Sequence, residues 1–215
     1  MDIKRIVVGP VETNCYLLIL NNELAVIDPG DEPGKIISEI ENTPLCHSRA
    51  GGNPDLRIIP KYILLTHGHF DHVMAVNELK EKYGFEVAIG EKDKDITDLN
   101  LQIRGQIPEI KPDIIVSAES RTLCMGKEAI QVIETPGHTI GSVSYLIGDN
   151  LFSGDTLFQH THGRTDLPGG SDEEMGKSLG RLLKLDEKIK VFPGHGEKTT
   201  VSEEKNYFEK IGFDI

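Results

Sequence analysis

The segment Thr66-His67-Gly68-His69-Phe70-Asp71-His72 sets three imidazoles and a carboxylate side by side, directly after the apolar run Tyr62-Ile63-Leu64-Leu65. Imidazole nitrogen and carboxylate oxygen suit a divalent metal, and ligands one residue apart can reach one ion from a turn leaving a strand. Pro-Gly-His occurs twice, as Pro136-Gly137-His138 and Pro193-Gly194-His195, each time after a β-like run, Gln131-Val132-Ile133-Glu134 and Lys190-Val191-Phe192. Leu151-Phe152-Ser153-Gly154-Asp155 ends another apolar run on a carboxylate. Strand ends are where side chains from distant parts of a chain converge. A single histidine beyond a strand is more often an exposed or hydrogen-bonded residue than a ligand. Three of the chain's eight histidines fall within 67–72, however, and chance clustering explains that poorly.

Strands must carry these groups to one place. Apolar runs at 3–8, 15–20 and 24–27 predict an opening β-meander, turned at Asn21-Asn22-Glu23 and closed by Asp28-Pro29-Gly30-Asp31. A helix is predicted from Pro33, with Ile36, Ile37 and Ile40 as its apolar stripe. Helical spacing recurs over 73–83 and stops at Gly84, and a short strand follows at 87–89. Charge dominates from Glu91 to Asp98, and the region through Pro112 reads as a helix plus an extended loop flanking the site. A second run of strands is predicted at 113–117, 121–125, 128–134, 142–147 and 150–153. A helix over 172–185, a strand through Phe192 and a last helix from Val201 complete the chain. Strands then helix, repeated, suggests two βα halves facing each other, as the repeated Pro-Gly-His would suit.

At 215 residues the chain has room for one sizeable domain, 1–215. Charged residues make up 27%, and no apolar stretch is long enough to span a bilayer. A net charge of −12 repels polyanions and argues against nucleic acid as a partner. Met1 leads straight into a strand pattern, without the features of an export signal. Cys15, Cys46 and Cys124 form neither an even set nor a C-x-x-C pair, so they read as reduced thiols. Both features point to the cytoplasm, with Cys15 a small core residue.

The order H-x-H-x-D-H, Gly-His, Gly-Asp, Gly-His, running from Thr13-Asn14-Cys15-Tyr16 to His195, resembles the metallo-β-lactamase superfamily. The resemblance implies an α/β fold, a four-layered αβ/βα sandwich with the metal site at one edge between the sheets. It implies that His67, His69 and His138 hold one divalent metal, that Asp71, His72 and His195 hold a second, and that Asp155 bridges them. Zinc is the first expectation, with iron or manganese accepted by the same donors. Two such ions sharing a water supply hydroxide near pH 7, and Asp71 could also orient it or shuttle its proton. Thr139 and Asp28 are candidates to take up the second ring nitrogen of a ligating histidine. In short relatives few residues join the first helix to the strand before the histidines, so 43–60 reads as a loop insertion, a mobile surface excursion with His47 as a bystander.

Gly154-Asp155-Thr156-Leu157-Phe158, the stretch Gly163 to Gly170, and Pro193-Gly194-His195-Gly196 with Thr199, Thr200 and Glu203 are similar to the short hydroxyacylglutathione hydrolase (glyoxalase II-like) group. The implied reaction is hydrolysis of a small acyl thioester such as S-lactoylglutathione. Full-length members carry a helical extension that grips glutathione, and here the chain ends at Ile215, leaving glutathione recognition open. His160, His162 and Arg164 are the substrate-contact candidates. Against this, both histidines could simply face solvent, and Arg164 could tie Asp166 into the loop. Two alternatives stand beside the thioesterase. One is a persulfide dioxygenase with a single iron on His67, His138 and Asp155; the other is a non-catalytic, metal-stabilised binding module. A β-lactamase is disfavoured by the missing export signal, and oligomeric state stays open.

Overall fold

β1 (Asp2–Val8) turns Ile6 and Val8 inward and its other residues largely outward, the alternation of a strand covered on one face. β2 (Thr13–Leu20) is buried over most of its length because both of its faces are covered. Its residues divide accordingly, Leu17 into one apolar cluster and Leu18 into another. β3 (Glu23–Ile27) pairs with it through a two-residue turn, Asn21-Asn22, with φ of 49° and 61°. Asparagine tolerates this left-handed region, which gives the hairpin a twist matching its strands. The computed structural model describes residues 1–43, 58–94, 109–119 and 122–213.

After α1 (Pro33–Glu41), β4 (Ile59–Leu64) runs parallel to β3. It leads through α2 (Phe70–Val73) and α3 (Val76–Tyr83) to β5 (Glu86–Gly90), and β6 (Ile114–Val116) closes the first sheet in the order β1-β2-β3-β4-β5-β6. The single helix expected over 73–83 is thus interrupted. The amides of Met74 and Ala75 donate to the carbonyls of Gly30 and Pro29 instead of continuing a helical ladder. The segment at 113–117, expected in the second run of strands, belongs to the first sheet: β6 pairs parallel with β5. Asp113 holds it there, its amide donating to Val87 O and its carboxylate accepting from Val87 N and Lys80 Nζ. Three apolar residues carry no sign of which sheet they join, and these flanking bonds decide it.

The second sheet, in the order β14-β13-β10-β9-β8-β7, consists of β7 (Leu123–Met125), β8 (Glu128–Glu134), β9 (Val143–Ile147), β10 (Asn150–Gly154), β13 (Lys190–Pro193) and β14 (Thr199–Thr200). Among the described residues its one parallel pair is β10 with β13. A small hairpin, β11 (Leu157–Phe158) with β12 (Thr161–His162), stands outside it. Two helices follow, α4 (Asp172–Leu182) and α5 (Val201–Lys210), started by Ser171 and Thr200 hydroxyls that accept from the amides of Glu174 and Glu203.

Three apolar clusters fix the layering. Ile36, Ile40 and Leu79 pack on Leu17, Val26 and Ile63, sealing α1 and α3 to the first sheet. Leu18, Ile27 and Leu64 meet Tyr145 and Phe152 between the sheets. Leu151 and Val191 meet Leu179, Leu182 and Phe208 from α4 and α5. The result is helix, sheet, sheet, helix: the expected four-layered αβ/βα sandwich. Burying each such side chain stabilises the fold by about 1.5–3 kcal/mol. Most of the insertion expected at 43–60, namely 44–57 with Cys46 and His47, lies outside the described residues, as do 95–108. What is described after β5 is one 3-10 turn, Glu91–Asp93.

Candidate metal centre

Four strands deliver the clustered groups at their C-terminal ends. β4 leads into His67 and His69 and on to Asp71 and His72 in α2, β8 into the turn bearing His138, β10 into Asp155, and β13 into His195. One donor atom from each of His67, His69 and His138 lies within 4.8 Å of the others. The same holds for His67, His72 and Asp155, and for Asp71, His72 and His195. His69 Nδ1 and His138 Nε2 are 2.7 Å apart. Asp155 faces both ends of the cluster: Oδ2 is 3.4 Å from His138 Nε2 and 3.5 Å from His195 Nε2, while Oδ1 is 3.5 Å from His72 Nε2. Asp71 Oδ2 lies 3.4 Å from His72 Nε2 and 3.3 Å from His195 Nε2. All seven residues expected as ligands are brought together.

The donor set fits divalent cations. His67 Nε2, His72 Nε2 and Asp155 Oδ1 are buried without a hydrogen-bond partner, which folded chains avoid unless something else satisfies such atoms. Charge tells the same story. Burial, reinforced by the neighbouring imidazoles, holds His67 well below the ordinary histidine value, and burial with His138 takes His69 down to about 4. Burial also pulls on His72 and His195, but carboxylates outweigh it there. Asp155, Asp71 and Asp28 push His72 well up, and Asp155 and Asp71 raise His195 to about 9. Asp71 and Asp155, against the cost of burial, are held below the usual carboxyl range chiefly by His72. Buried carboxylates here demand positive charge, which imidazolium protons or metal ions can supply.

A second layer of bonds aims these groups. Asp28, at the end of β3 with φ of 49°, accepts from Thr66 N (2.8 Å) and Thr66 Oγ1 (2.7 Å) and lies 3.1 Å from His72 Nδ1. Thr66 Oγ1 is in turn 3.1 Å from His67 Nδ1. His138 Nδ1 bonds the Arg164 carbonyl at 2.6 Å, which leaves Nε2 turned to the cluster. Thr13 Oγ1 donates to Asp71 Oδ2 at 2.9 Å. Asn14 Nδ2 donates to the carbonyls of Pro193 and Gly196, and the Tyr16 hydroxyl to Pro193 O, so the start of β2 braces the loop carrying His195. Backbones approach closely because glycine permits it: a Cβ at Gly30 would sit 1.6 Å from Asp71 O, and one at Gly194 2.2 Å from Asp155 Oδ1.

Asp28 therefore takes the place expected of it, whereas Thr139 does not touch an imidazole. Its hydroxyl donates to Asp93 Oδ2 at 2.6 Å. Sequence reasoning passes over Asp93 inside a charged stretch, although it stands just past a strand, as Asp28 and Asp155 do. Burial raises the Asp93 carboxyl above the ordinary range in spite of the bonds it accepts. Thr13, Asn14 and Tyr16 stand out in the sequence only as part of a motif, with no sign of what they hold. His160 and His162 are exposed and outside the three donor groups; His160 stacks on Tyr207 at 4.6 Å, and its amide donates to the buried Glu204. The Arg164 guanidinium is engaged by Asp166 through two 2.7 Å bonds.

The profile described as "Metallo-beta-lactamase superfamily" matches residues 8–195. The chain is 36% identical to the "Probable metallo-hydrolase YqgX" of Bacillus subtilis (strain 168), over 96% of this chain and 95% of the relative. It is 35% identical to the "Hydroxyacylglutathione hydrolase GloC" of Haemophilus influenzae, over 95% of each. Among solved structures it resembles the BLEG-1 B3 metallo-beta-lactamase (TM-score 0.80, 33% identity, 95% of this chain and 97% of that one). It also resembles TTHA1623 in a di-iron-bound form (TM-score 0.76, 33% identity, 94% and 96%). With its ligand order, its layering and the edge at which four strands unload their histidines and aspartates all accounted for, the chain belongs to the metallo-β-lactamase superfamily.

Proposed function

We propose that this protein is a glyoxalase II-like thioesterase that hydrolyses a small acyl thioester of the hydroxyacylglutathione class. One divalent metal would be held by His67, His69 and His138, a second by Asp71, His72 and His195, with Asp155 between them. The observation that carries this reading is the placement of Asp155, whose two oxygens face both donor groups at 3.4–3.5 Å. Zinc suits this all-nitrogen-and-oxygen set, and the 35% identity to a hydroxyacylglutathione hydrolase supports the substrate class. Free thiols at Cys15 and Cys124 accord with a cytoplasmic setting.

Bound together, two such ions would supply a water acidified enough to act as hydroxide at neutral pH and an electrophile for the carbonyl oxygen. The residues themselves place and neutralise. Asp71, fixed by the Thr13 hydroxyl, presents a carboxylate that can orient the attacking water. His138 is locked in one ring orientation by the Arg164 carbonyl. The departing group is a thiolate with an ordinary pKa of about 8.5, so its expulsion asks little of a general acid. Arg164 is suited to a carboxylate of the substrate, in exchange for its exposed partner Asp166; His160 and His162 would border the same approach.

The test is hydrolysis of S-lactoylglutathione by protein purified without chelator, with metal counted in the same sample. Turnover with about two metals per chain, abolished in His67→Ala, is the expected result. Two metals without turnover refutes the substrate class, and one iron without turnover transfers the site to the mononuclear persulfide dioxygenase reading.

A further inference from the structure

Asp93 is buried at the end of the 3-10 turn that follows β5, a strand that itself delivers none of the seven candidate ligands. Its Oδ2 accepts two bonds, from Gly68 N at 3.0 Å and from Thr139 Oγ1 at 2.6 Å. Gly68 is the residue between His67 and His69, and Thr139 is the residue after His138. One oxygen thus joins the two loops that bear these three histidines, loops 69 residues apart in the chain when measured between His69 and His138. The surroundings are shaped for it. A Cβ at Gly141 would lie 2.4 Å from both Asp93 N and Asp93 Oδ1, so glycine is what leaves the carboxylate its room. The Thr139 hydroxyl is also 2.7 Å from Ser142 Oγ, which receives the Thr139 amide at 3.1 Å, and the turn is closed by Gly137 N donating to Thr139 O.

The other donor group is braced by different residues. Asp71 is held by Thr13, His72 is faced by Asp28, and the His195 loop is held by Asn14 and Tyr16. We propose that Asp93 is a positioning residue for the His67, His69 and His138 group alone, setting the separation of its two loops and so the hold of that group on its metal. The inference rests on the two-metal reading above. It requires that the two ions respond unequally when Asp93 is removed, whereas a carboxylate needed only for folding would weaken both alike.

The experiment is release of zinc from the zinc-loaded protein to a chromophoric chelator, followed in time, with thermal unfolding of the same samples. Wild type should release two zinc ions, and His69→Ala identifies the phase that belongs to the group in question. In Asp93→Ala that phase should accelerate about tenfold or more, the range for loss of outer-layer support of metal ligands, while the other phase keeps its rate. Thr139→Val removes one of the two donors and should accelerate the same phase less. The double variant should be no faster than Asp93→Ala, because the Thr139 effect passes through Asp93. Unchanged release in both folded variants, or equal acceleration of both phases, overturns the proposal. If Asp93→Ala fails to fold, wild-type release in Thr139→Val overturns it. A wild type that never holds two zinc ions removes the two-metal reading itself, and the proposal falls with it.

Discussion

Gly30 offers the sharpest test of how the centre is built. Its Cα faces the carbonyl of Asp71 so closely that an added Cβ would lie 1.6 Å from that oxygen, where real Cβ contacts essentially never fall below 3.0 Å. In Gly30→Ala one backbone must therefore retreat by at least about 1.4 Å, the gap between those distances. The β3 end cannot easily give way, because Asp28 is bonded to Thr66, and the carbonyls of Pro29 and Gly30 receive the amides of Ala75 and Met74. The displacement falls on Asp71 and His72, two ligands of one proposed ion. Overpacking of this kind costs about 1–3 kcal/mol. At about 2–4 °C per kcal/mol for a chain of this size, Tm should drop by roughly 2–12 °C. A misplacement of about 1 Å at a reacting centre is worth around 100-fold in rate. The expected variant is folded, has lost up to one metal equivalent, and hydrolyses S-lactoylglutathione about 100-fold more slowly. Circular dichroism, metal analysis and kcat/KM on one preparation decide it. A Gly30→Ala protein with full metal content and wild-type kcat/KM would refute the claim that this close approach sets the position of Asp71 and His72.

Thr13→Val should leave the fold intact and weaken the metal bound by Asp71 about 10–100-fold in chelator competition, since the 2.9 Å bond to Asp71 is lost. Tyr16→Phe removes a buried 2.7 Å bond to Pro193 O and should cost about 1 kcal/mol in urea unfolding. Stripping the metals should lower Tm by about 16–32 °C, the equivalent of roughly 4 kcal/mol for each of the two proposed ions when present at 1,000 times its Kd, and restoring them should recover it. Asp113 gives a pH prediction remote from the centre. Partial burial works against it, but bonds from Lys80 and the Val87 amide hold its carboxyl below the ordinary range. A depressed carboxyl contributes fully above the unfolded value of about 3.9 and loses that contribution as pH falls through the folded value. Asp113→Asn should therefore be less stable than wild type at pH 6 by under about 1 kcal/mol, the pair being exposed, and the difference should vanish in acid.

Whether a feature is legible in the sequence depends on whether its signal is local. The seven ligand candidates stand out because each is a histidine or aspartate just past an apolar run, and both the residue type and the strand end can be read without knowing what pairs with what. The hairpin at Asn21-Asn22 and the helix starts at Pro33 and Val201 are legible for the same reason, being set by the conformational preferences of a few adjacent residues. Pairing is not local. Ile114, Ile115 and Val116 read as a strand, but bonds between Asp113 and Val87 assign it to the first sheet. The α2–α3 break leaves no mark in the sequence because the acceptors that capture Met74 N and Ala75 N are carbonyls some forty residues earlier, at Gly30 and Pro29. Thr139 is expected on an imidazole because it adjoins His138, but the structure turns its hydroxyl to Asp93 instead. Asp93 is itself hidden by composition, one buried acid among exposed charges. Taken one residue at a time, Glu91-Lys92-Asp93-Lys94 looks solvated throughout, and only the three-dimensional approach of Gly68 and Gly141 separates the third residue from its neighbours. Candidate ligands declare themselves by type and position, whereas the residues that aim them declare themselves only by what they touch.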